Sequence, residues 1–365
     1  MNPQKILLFR PSLGQGGADR VTLNLLHALE RRAFAPSLVL LRAEGEFLAD
    51  VPPDVPVYTL AARSLKTAVG PLARLLRAQR PDVLFSTSSG GNVIAVLAHR
   101  LARAGGRVVL SERNVLLHGT PTLQKRGVTW LKRWVYPRAD NITSVSQSVK
   151  DDLVARLGLS PERVQVVHNP IVTPELATLA AAPVAHSWFH EDTPVILGVG
   201  RLVGEKDFPT LINAFARIRA ERPARLFILG DGPAQPALRA LTQRLGLQED
   251  VWFAPFDKNP FKYMARCSVF ALSSRYEGLS GVLIQAMAVG AAVVTTDCPG
   301  AGEIVTDKVD GLLTPMGDAP ALAVRISYLL DNPAVARRLK AQAQVSAQRF
   351  NVANVTQKYA QALST

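Results

Sequence analysis

The sequence has few of the residues that build disulfide frameworks or zinc sites. Only Cys267 and Cys298 occur among 365 residues, and their spacing fits no zinc motif. Neither a disulfide scaffold nor a structural metal is indicated, and we expect both cysteines to be buried small apolar side chains. An Asp-x-Asp pair, which would hold a divalent ion against a nucleotide diphosphate, is absent from the chain.

Long apolar runs are also lacking. The run Lys5–Phe9 is interrupted by Arg10 and is too short for a signal-peptide core, and no other run approaches the length of a membrane span. We therefore expect a cytoplasmic protein. Apolar residues make up 48% of the composition and charged residues 19%, which is the balance of a folded globular protein and not of a disordered one.

Acidic residues are outnumbered by basic ones, 29 to 42, which gives a formal net charge of +13. Residues 1–185 carry 23 Lys and Arg against 13 Asp and Glu, so most of the excess lies in the first half. Such a charge suits nucleic acid, an anionic membrane or a phosphorylated substrate. No helix-turn-helix, RNA-binding or zinc signature is present, so no nucleic-acid partner is expected and nucleic-acid binding is the weakest of these alternatives.

Apolar, β-branched segments alternate with helical patterns in both halves of the chain, which predicts βαβ units and parallel sheets. The length exceeds what one hydrophobic core supports. The predicted fold class is therefore α/β, with two Rossmann-like doubly wound parallel-sheet domains. We place them at residues 1–185 and 186–345, joined by an Ala- and Pro-rich linker, with a C-terminal helix in 346–365 packing back towards the first domain.

A glycine-rich segment, Gly14-Gln15-Gly16-Gly17, follows the first strand and opens the first helix. Glycines at this place let backbone amides approach a phosphate. Asp19 stands where the dinucleotide-binding fingerprint has its third glycine, so that fingerprint is not matched. A tight turn and a phosphate site both fit the segment.

A second glycine-rich loop follows the first strand of the second half and carries Arg201 and Lys206. Two cations at this spacing can converge on one diphosphate, Arg as a planar fork and Lys as a point charge. The alternative is a solvated loop with two surface cations. The position at the carboxyl end of a strand, where open α/β sheets bind ligands, favours the binding site.

A third stretch, residues 273–290, runs from a strand through a loop of small residues into a short apolar helix. The first amides of that helix would point at a ligand of the loop. Glu277 lies in the loop and Gln285 about one turn into the helix. Taken alone, they also fit an exposed carboxylate and a partly buried amide.

Together with Ser111-Glu112-Arg113-Asn114 and Gly230-Asp231-Gly232-Pro233, these stretches resemble the family four retaining glycosyltransferases of GT-B fold. The resemblance covers nearly the whole chain and implies two domains facing across a cleft. It implies transfer of a hexose or N-acetylhexosamine from a nucleotide diphosphate sugar, UDP-linked, to a glycan or lipid-linked acceptor in polysaccharide or lipopolysaccharide synthesis. No cofactor or divalent metal is expected. A non-hydrolysing nucleotide-sugar epimerase of the same fold is the alternative enzyme.

The resemblance also implies roles for single residues. Arg201 and Lys206 would grip the donor diphosphate, and Glu277 would meet the transferred sugar. The remaining donor-binding candidates are Gly16, Gly17, Gly200, Gly278, Leu279, Ser280, Gly281 and Gln285. Gln285 departs from the family, which has Glu there as a ribose ligand. The acceptor-side candidates are Glu112, Arg113, Asn114 and His118, of which His118 either swings into the site or caps a turn.

A helical stripe contains Trp130 and Trp134, and five cations lie beside or opposite it: Lys125, Arg126, Lys132, Arg133 and Arg138. Tryptophans flanked by cations suit a membrane interface, and an amphipathic helix with its tryptophans in the core fits equally well. An anionic membrane surface, on the inner face of the cytoplasmic membrane, is therefore a hypothetical partner.

Overall fold

A computed structural model describes residues 2–14, 16–116 and 123–364, and it divides the chain into two compact units. Unit 1 comprises Met1–Pro170 with Val352–Thr365, and unit 2 comprises Ile171–Asn351. Each unit contains one sheet whose paired strands are all parallel. The predicted α/β class with two Rossmann-like domains is confirmed.

The sheet of unit 1 has seven strands: β1 (Gln4–Arg10), β2 (Phe34–Leu40), β3 (Val57–Thr59), β4 (Val83–Ser86), β5 (Arg107–Glu112), β6 (Asn141–Ser144) and β7 (Val164–Val166). Their spatial order is β3-β2-β1-β4-β5-β6-β7. The helices are α1 (Gly17–Ala28), α2 (Val69–Gln79), α3 (Ser89–Ala102), α4 (Leu123–Val135), α5 (Gln147–Leu157) and α13 (Val352–Ser364). Ile6 to Phe9 of β1 are all buried, because helices cover both faces of a parallel sheet.

The sheet of unit 2 has six strands: β8 (Val195–Val199), β9 (Arg225–Leu229), β10 (Val251–Ala254), β11 (Val269–Leu272), β12 (Val293–Thr296) and β13 (Leu312–Thr314). Their spatial order is β10-β9-β8-β11-β12-β13. The helices are α6 (Leu176–Ala181), α7 (Phe208–Glu221), α8 (Gln235–Arg244), α9 (Phe261–Met264), α10 (Gly281–Ala288), α11 (Ala319–Asp331) and α12 (Pro333–Ala347).

The units divide earlier in the chain than residue 185, the boundary expected from the sequence. Asn259 Nδ2 donates to Leu179 O over 2.8 Å, and Arg266 Nη1 donates to Ala180 O over 2.9 Å, so the expected linker packs within unit 2. At the other end, Ile171 N donates to Phe350 O over 3.0 Å, which keeps residues up to Asn351 in unit 2. Helix α13 packs within unit 1, where Asn141 Nδ2 donates to Ala362 O over 3.0 Å.

Strand order reverses once in each sheet, between β1 and β4 in unit 1 and between β8 and β11 in unit 2. In open α/β sheets, ligands bind outside the carboxyl ends of the strands at such a reversal. The loop after β8 contains Arg201 and Lys206, and the loop after β11 contains Glu277. The topology of unit 2 therefore brings these two sequence motifs to one edge of its sheet.

Candidate active site

The loop after β8 rests on a second loop, the one after β9. Leu202 N donates to Asp231 O over 2.9 Å, and Gly200 N donates to Leu229 O over 3.0 Å. Gly230 has φ of +137°, and a Cβ there would lie 2.2 Å from Gly200 O. Only glycine allows this close approach, which explains why the Gly230-Asp231-Gly232-Pro233 motif accompanies the Arg201 loop.

Lys206 and Glu277 form an ion pair at this edge of the sheet. Lys206 Nζ lies 2.6 Å from Glu277 Oε1, and the two side chains are 18% and 13% exposed. Ser274 Oγ donates to the same carboxylate oxygen over 2.7 Å. An ammonium has three N–H donors, and the bond to Glu277 uses one of them. Lys206 can therefore also donate hydrogen bonds to an anionic ligand.

The Glu277 loop is held from its other side by residues that follow β12. Glu277 N donates to Pro299 O over 3.1 Å. Gly300 has φ of +83°, and a Cβ at that position would lie 2.6 Å from Glu277 O. A side chain at residue 300 would therefore displace the Glu277 loop. The backbone of Glu277 is thus held in place by residues 299 and 300.

Helix α10 begins directly after this loop with Ser280 as its N-cap, and no side chain in the described ranges of the chain caps its first turn. Uncapped amides in a first turn and the positive end of the helix dipole are groups that can bind an anion. Ser280 Oγ is buried and has no hydrogen-bond partner among the residues that the structure describes. Gln285 is 6% exposed. Gly278 and Leu279, predicted donor contacts, are buried in the loop, and Gly281 is half-buried.

Arg201 is exposed and forms no ion pair with any other described residue of the chain. Arg201 lies on the same loop as Lys206 and directly follows Gly200. Gly200 packs beside the Lys206 side chain, since a Cβ at Gly200 would lie 3.3 Å from Lys206 Cε. All of the donor-side candidates of the second half thus belong to three connected segments of unit 2.

In unit 1, the Gly16-Gly17 turn is built on a buried ion pair. Gly16 is the N-cap of α1, and its amide donates to Asp19 Oδ2 over 3.2 Å. Arg10 Nη2 lies 2.5 Å from Asp19 Oδ1. Arg113 Nη1 donates to Ala18 O over 2.9 Å, which ties the end of β5 to the start of α1. Asp19, the residue that replaces the third glycine of the fingerprint, therefore fixes the first turn of the helix.

Arg113 is 6% exposed. Burial lowers the pKa of its guanidinium to about 10, and neighbouring Arg10 acts in the same direction. The side chain remains protonated at neutral pH and donates its hydrogen bond to Ala18 O within unit 1. Asn114 is exposed at the following position. His118 lies outside the described residues.

Glu112 was grouped with the acceptor-side residues from the sequence, but its carboxylate lies inside a buried network. Tyr136 Oη donates to Glu112 Oε2 over 2.6 Å, and Lys132 Nζ lies 3.3 Å from the same oxygen. Glu112 is 0% exposed and Lys132 is 4% exposed. Burial, together with the Glu112 charge, raises the pKa of Tyr136 well above its ordinary value. Lys132 is consequently not a surface cation of the tryptophan stripe.

The tryptophans of that stripe face solvent. Trp130 is 70% exposed and Trp134 is 45% exposed, so the alternative that places them in the core is wrong. The Arg138 guanidinium lies 3.9 Å from the centre of the Trp134 ring. Among residues 2–14, 16–116 and 123–364, no helix combines the length and the apolar character needed to cross a bilayer.

The cysteines are both buried and free, as predicted. Burial raises the pKa of Cys267 to about 12 and that of Cys298 to about 11, so neither thiol is a nucleophile at neutral pH. Within the described part of the chain, no three His, Cys, Asp or Glu side chains lie close enough together to hold a metal ion.

Comparison with known families covers most of both units. Residues 15–174 match the glycosyltransferase family 4 description, and residues 185–346 match the description glycosyl transferases group 1. A Campylobacter jejuni protein named N-acetylgalactosamine-N,N'-diacetylbacillosaminyl-diphospho-undecaprenol 4-alpha-N-acetylgalactosaminyltransferase is 30% identical over 364 residues, which cover 95% of this chain and 96% of that protein. The lipopolysaccharide core biosynthesis glycosyltransferase LpsD of Rhizobium meliloti is 30% identical over 46% of this chain and 48% of its own length.

Solved structures show the same fold. Anabaena HepE in complex with UDP-glucose superposes with a TM-score of 0.81 at 22% identity, over 99% of each chain. Sucrose-phosphate synthase of Thermosynechococcus elongatus superposes with a TM-score of 0.83 at 19% identity, over 98% of each chain.

Proposed function

The chain belongs to the family 4 glycosyltransferases, with their two-domain GT-B fold, and from this premise we propose that it moves a hexose or N-acetylhexosamine from a UDP-linked donor onto a lipid-linked glycan. The reaction retains the anomeric configuration and needs no divalent metal. The observation that carries the proposal is the Lys206–Glu277 pair, 2.6 Å apart beside the uncapped start of α10.

In the proposed reaction, the bond between the anomeric carbon and the diphosphate breaks while the acceptor hydroxyl attacks on the same face of the sugar. The hydroxyl proton passes to the departing phosphate oxygen. Negative charge grows on the diphosphate, and Arg201, Lys206 and the first amides of α10 stabilise it electrostatically. Protein cations thus take the role that a metal ion has in enzymes with an Asp-x-Asp pair. Glu277 holds the ammonium and faces the sugar.

Names of similar proteins support the substrate classes. The Campylobacter relative is named for an acceptor on diphospho-undecaprenol and for an α-linked N-acetylgalactosaminyl product, and Anabaena HepE binds UDP and UDP-glucose. The Rhizobium relative is named for lipopolysaccharide core synthesis. We place the present chain in the same kind of process, the assembly of a cell-surface glycan.

Donor binding is tested by thermal unfolding with UDP-, GDP- and ADP-linked sugars, because a ligand that binds only the folded state raises its Tm. Transfer to an undecaprenyl-diphosphate saccharide is then measured with the donor that binds, with and without EDTA. We expect stabilisation by a UDP-sugar and equal transfer in both buffers. Loss of transfer in EDTA contradicts metal independence, and release of an epimerised nucleotide sugar without transfer contradicts the proposed reaction.

Restoring the family's carboxylate at residue 285 is expected to tighten donor binding. An amide accepts a hydrogen bond from one ribose hydroxyl and donates one to the other, whereas a carboxylate accepts hydrogen bonds from both hydroxyls. Hydrogen bonds to charged groups contribute ~1.5–3 kcal/mol and neutral ones ~0.5–1.5 kcal/mol, so Gln285→Glu should gain about 1 kcal/mol. Calorimetry with UDP should show roughly fivefold tighter binding. Unchanged affinity would mean that Gln285 does not contact the ribose.

We also propose that the exposed end of α4 binds anionic membranes, which would bring the enzyme to a lipid-linked acceptor. Trp130, Trp134 and Arg138 supply interfacial aromatic rings and charge on one exposed surface of unit 1. The formal charge of +13 adds attraction to an anionic leaflet.

Co-sedimentation with vesicles tests this surface. The protein should pellet with anionic vesicles, stay in solution with neutral ones, and be released at high salt. Trp130→Ala should weaken binding several-fold, about 1 kcal/mol. Trp252→Ala is the matched control, since Trp252 is 48% exposed in unit 2. Binding that ignores lipid charge, or equal loss in both variants, contradicts the proposal.

A further inference from the structure

The two loops that carry Lys206 and Glu277 are bonded to each other at three points besides their ion pair. Arg275 Nε donates to Asp207 Oδ2 over 3.0 Å, and Arg275 N donates to Glu205 O over 2.9 Å. Ser273 Oγ donates to Lys206 O over 3.0 Å. The residues just before Glu277 therefore hold Lys206 and both of its chain neighbours.

Asp207 occupies an unusual position in this arrangement. It follows the 3-10 turn Gly204–Lys206, precedes α7, and has φ of 45° and ψ of 44°, the left-handed conformation that most residues avoid. Its carboxylate is buried, with the residue 3% exposed, and it also accepts a hydrogen bond from Thr210 Oγ1 over 2.8 Å. The carboxylate thus fixes the reversal of the chain directly after Lys206.

We infer that Asp207 and Arg275 are positioning residues, which set the place of the Lys206 ammonium relative to Glu277. The inference rests on the proposed function, in which Lys206 binds the donor diphosphate. Arg275 is 61% exposed, so its ion pair adds little to folding stability. Its effect lies in geometry, because displacing a group that acts on developing charge by about 1 Å lowers rates by up to roughly a hundredfold.

Two substitutions at residue 207 separate the carboxylate from the backbone conformation. Asp207→Gly adopts the left-handed conformation freely and removes the acceptor for Arg275 and Thr210. Asp207→Asn also tolerates that conformation and keeps one acceptor oxygen. We expect kcat/KM to fall on the order of tenfold or more in Asp207→Gly and to stay within about threefold of wild type in Asp207→Asn. A glycine variant as active as the asparagine variant overturns the inference, because the backbone shape alone would then suffice.

Arg275→Ala has a matched control in Arg219→Ala. Arg219 Nε lies 2.7 Å from Asp250 Oδ2, so the control also breaks an Arg–Asp pair of unit 2, but near the opposite end of α7. We expect Arg275→Ala to lower kcat on the order of tenfold with a nearly unchanged Kd for UDP, since the ammonium stays near the diphosphate but is misaligned with the charge of the transition state. Arg219→Ala should leave kcat unchanged. Equal losses in both variants overturn the inference.

Lys206→Ala, measured alongside, separates this inference from the proposed function. If Lys206→Ala binds UDP and turns over like wild type, the proposed donor contact fails. If Lys206→Ala loses activity while Asp207→Gly and Arg275→Ala keep it, only the positioning role fails. Thermal unfolding of every variant establishes that the folded protein is being compared.

Discussion

Replacing Lys206 by alanine is expected to lower kcat/KM by about a hundredfold or more, the loss typical of removing one group that stabilises developing charge. The substitution does more than delete a cation. It leaves the Glu277 carboxylate, 13% exposed, without its 2.6 Å partner at the place where the diphosphate would bind. Repulsion between the two anions should weaken UDP binding as well as slow the reaction. Arg201→Ala, on the same loop, should cause a similar loss.

Lys262→Ala provides the control for this experiment. Lys262 pairs with Asp257 at 2.9 Å in unit 2, and the two side chains are 21% and 27% exposed. Lys262→Ala therefore removes a comparable lysine ion pair outside the candidate site, and the kcat/KM of this variant should equal that of wild type. Added magnesium should not restore Lys206→Ala, because we propose a reaction without a metal ion and the sequence contains no Asp-x-Asp pair to hold one on the donor. Equal activity of the two variants would contradict the proposed role of Lys206.

Glu277→Gln is expected to fold normally and to lose most transferase activity, on the order of a hundredfold in kcat. An amide oxygen can still accept hydrogen bonds from Ser274 and Lys206, so the loop is preserved while the charge that we propose to face the sugar is removed. Steady-state kinetics with the donor, together with thermal unfolding, distinguish lost chemistry from lost structure. Glu205→Gln changes an exposed carboxylate of the neighbouring loop and should have little effect.

The double variant Lys206→Ala/Glu277→Gln tests whether the two residues act as one unit. If they do, the double variant loses less than the product of the two single losses, since removing Lys206 costs less once Glu277 is uncharged. Independent losses would place the two groups on separate parts of the substrate. Wild-type kcat in Glu277→Gln alone would return Glu277 to the role of a surface-loop residue.

Much of the fold follows from local sequence pattern. Strand β8 and residues 226–229 of β9 coincide with apolar runs, because a strand segment buried on both faces needs continuous apolar residues. Short elements such as β3, with exposed Val57 and Thr59, carry no such signal. The position of β3 depends on its pairing with β2, a strand that is distant from it in sequence.

The sequence places the candidate site in three motifs, but it does not predict how the residues of those motifs pair. Lys206 and Glu277 are 71 residues apart, and nothing local to either motif indicates that they pair. The sequence does not indicate the left-handed conformation of Asp207, since the residue is not glycine. Nor does it indicate that Glu112 is buried, because the Lys132 that pairs with Glu112 comes from α4. Residues that act on a ligand lie in recognisable motifs, whereas the residues that orient them are defined only by the folded chain.

Unit 1 is discontinuous along the chain, and this affects the order in which the protein can fold during synthesis. Val355, Tyr359 and Leu363 of α13 are 2%, 0% and 0% exposed, and Tyr359 packs against Phe85 of β4. These side chains leave the ribosome only after residues 171–351, on the order of 10–40 s later at about 5–20 residues per second. Until then, the apolar surface they cover stays open to water or to a chaperone. Unit 2 is contiguous, so it can complete its core first although it is synthesised second.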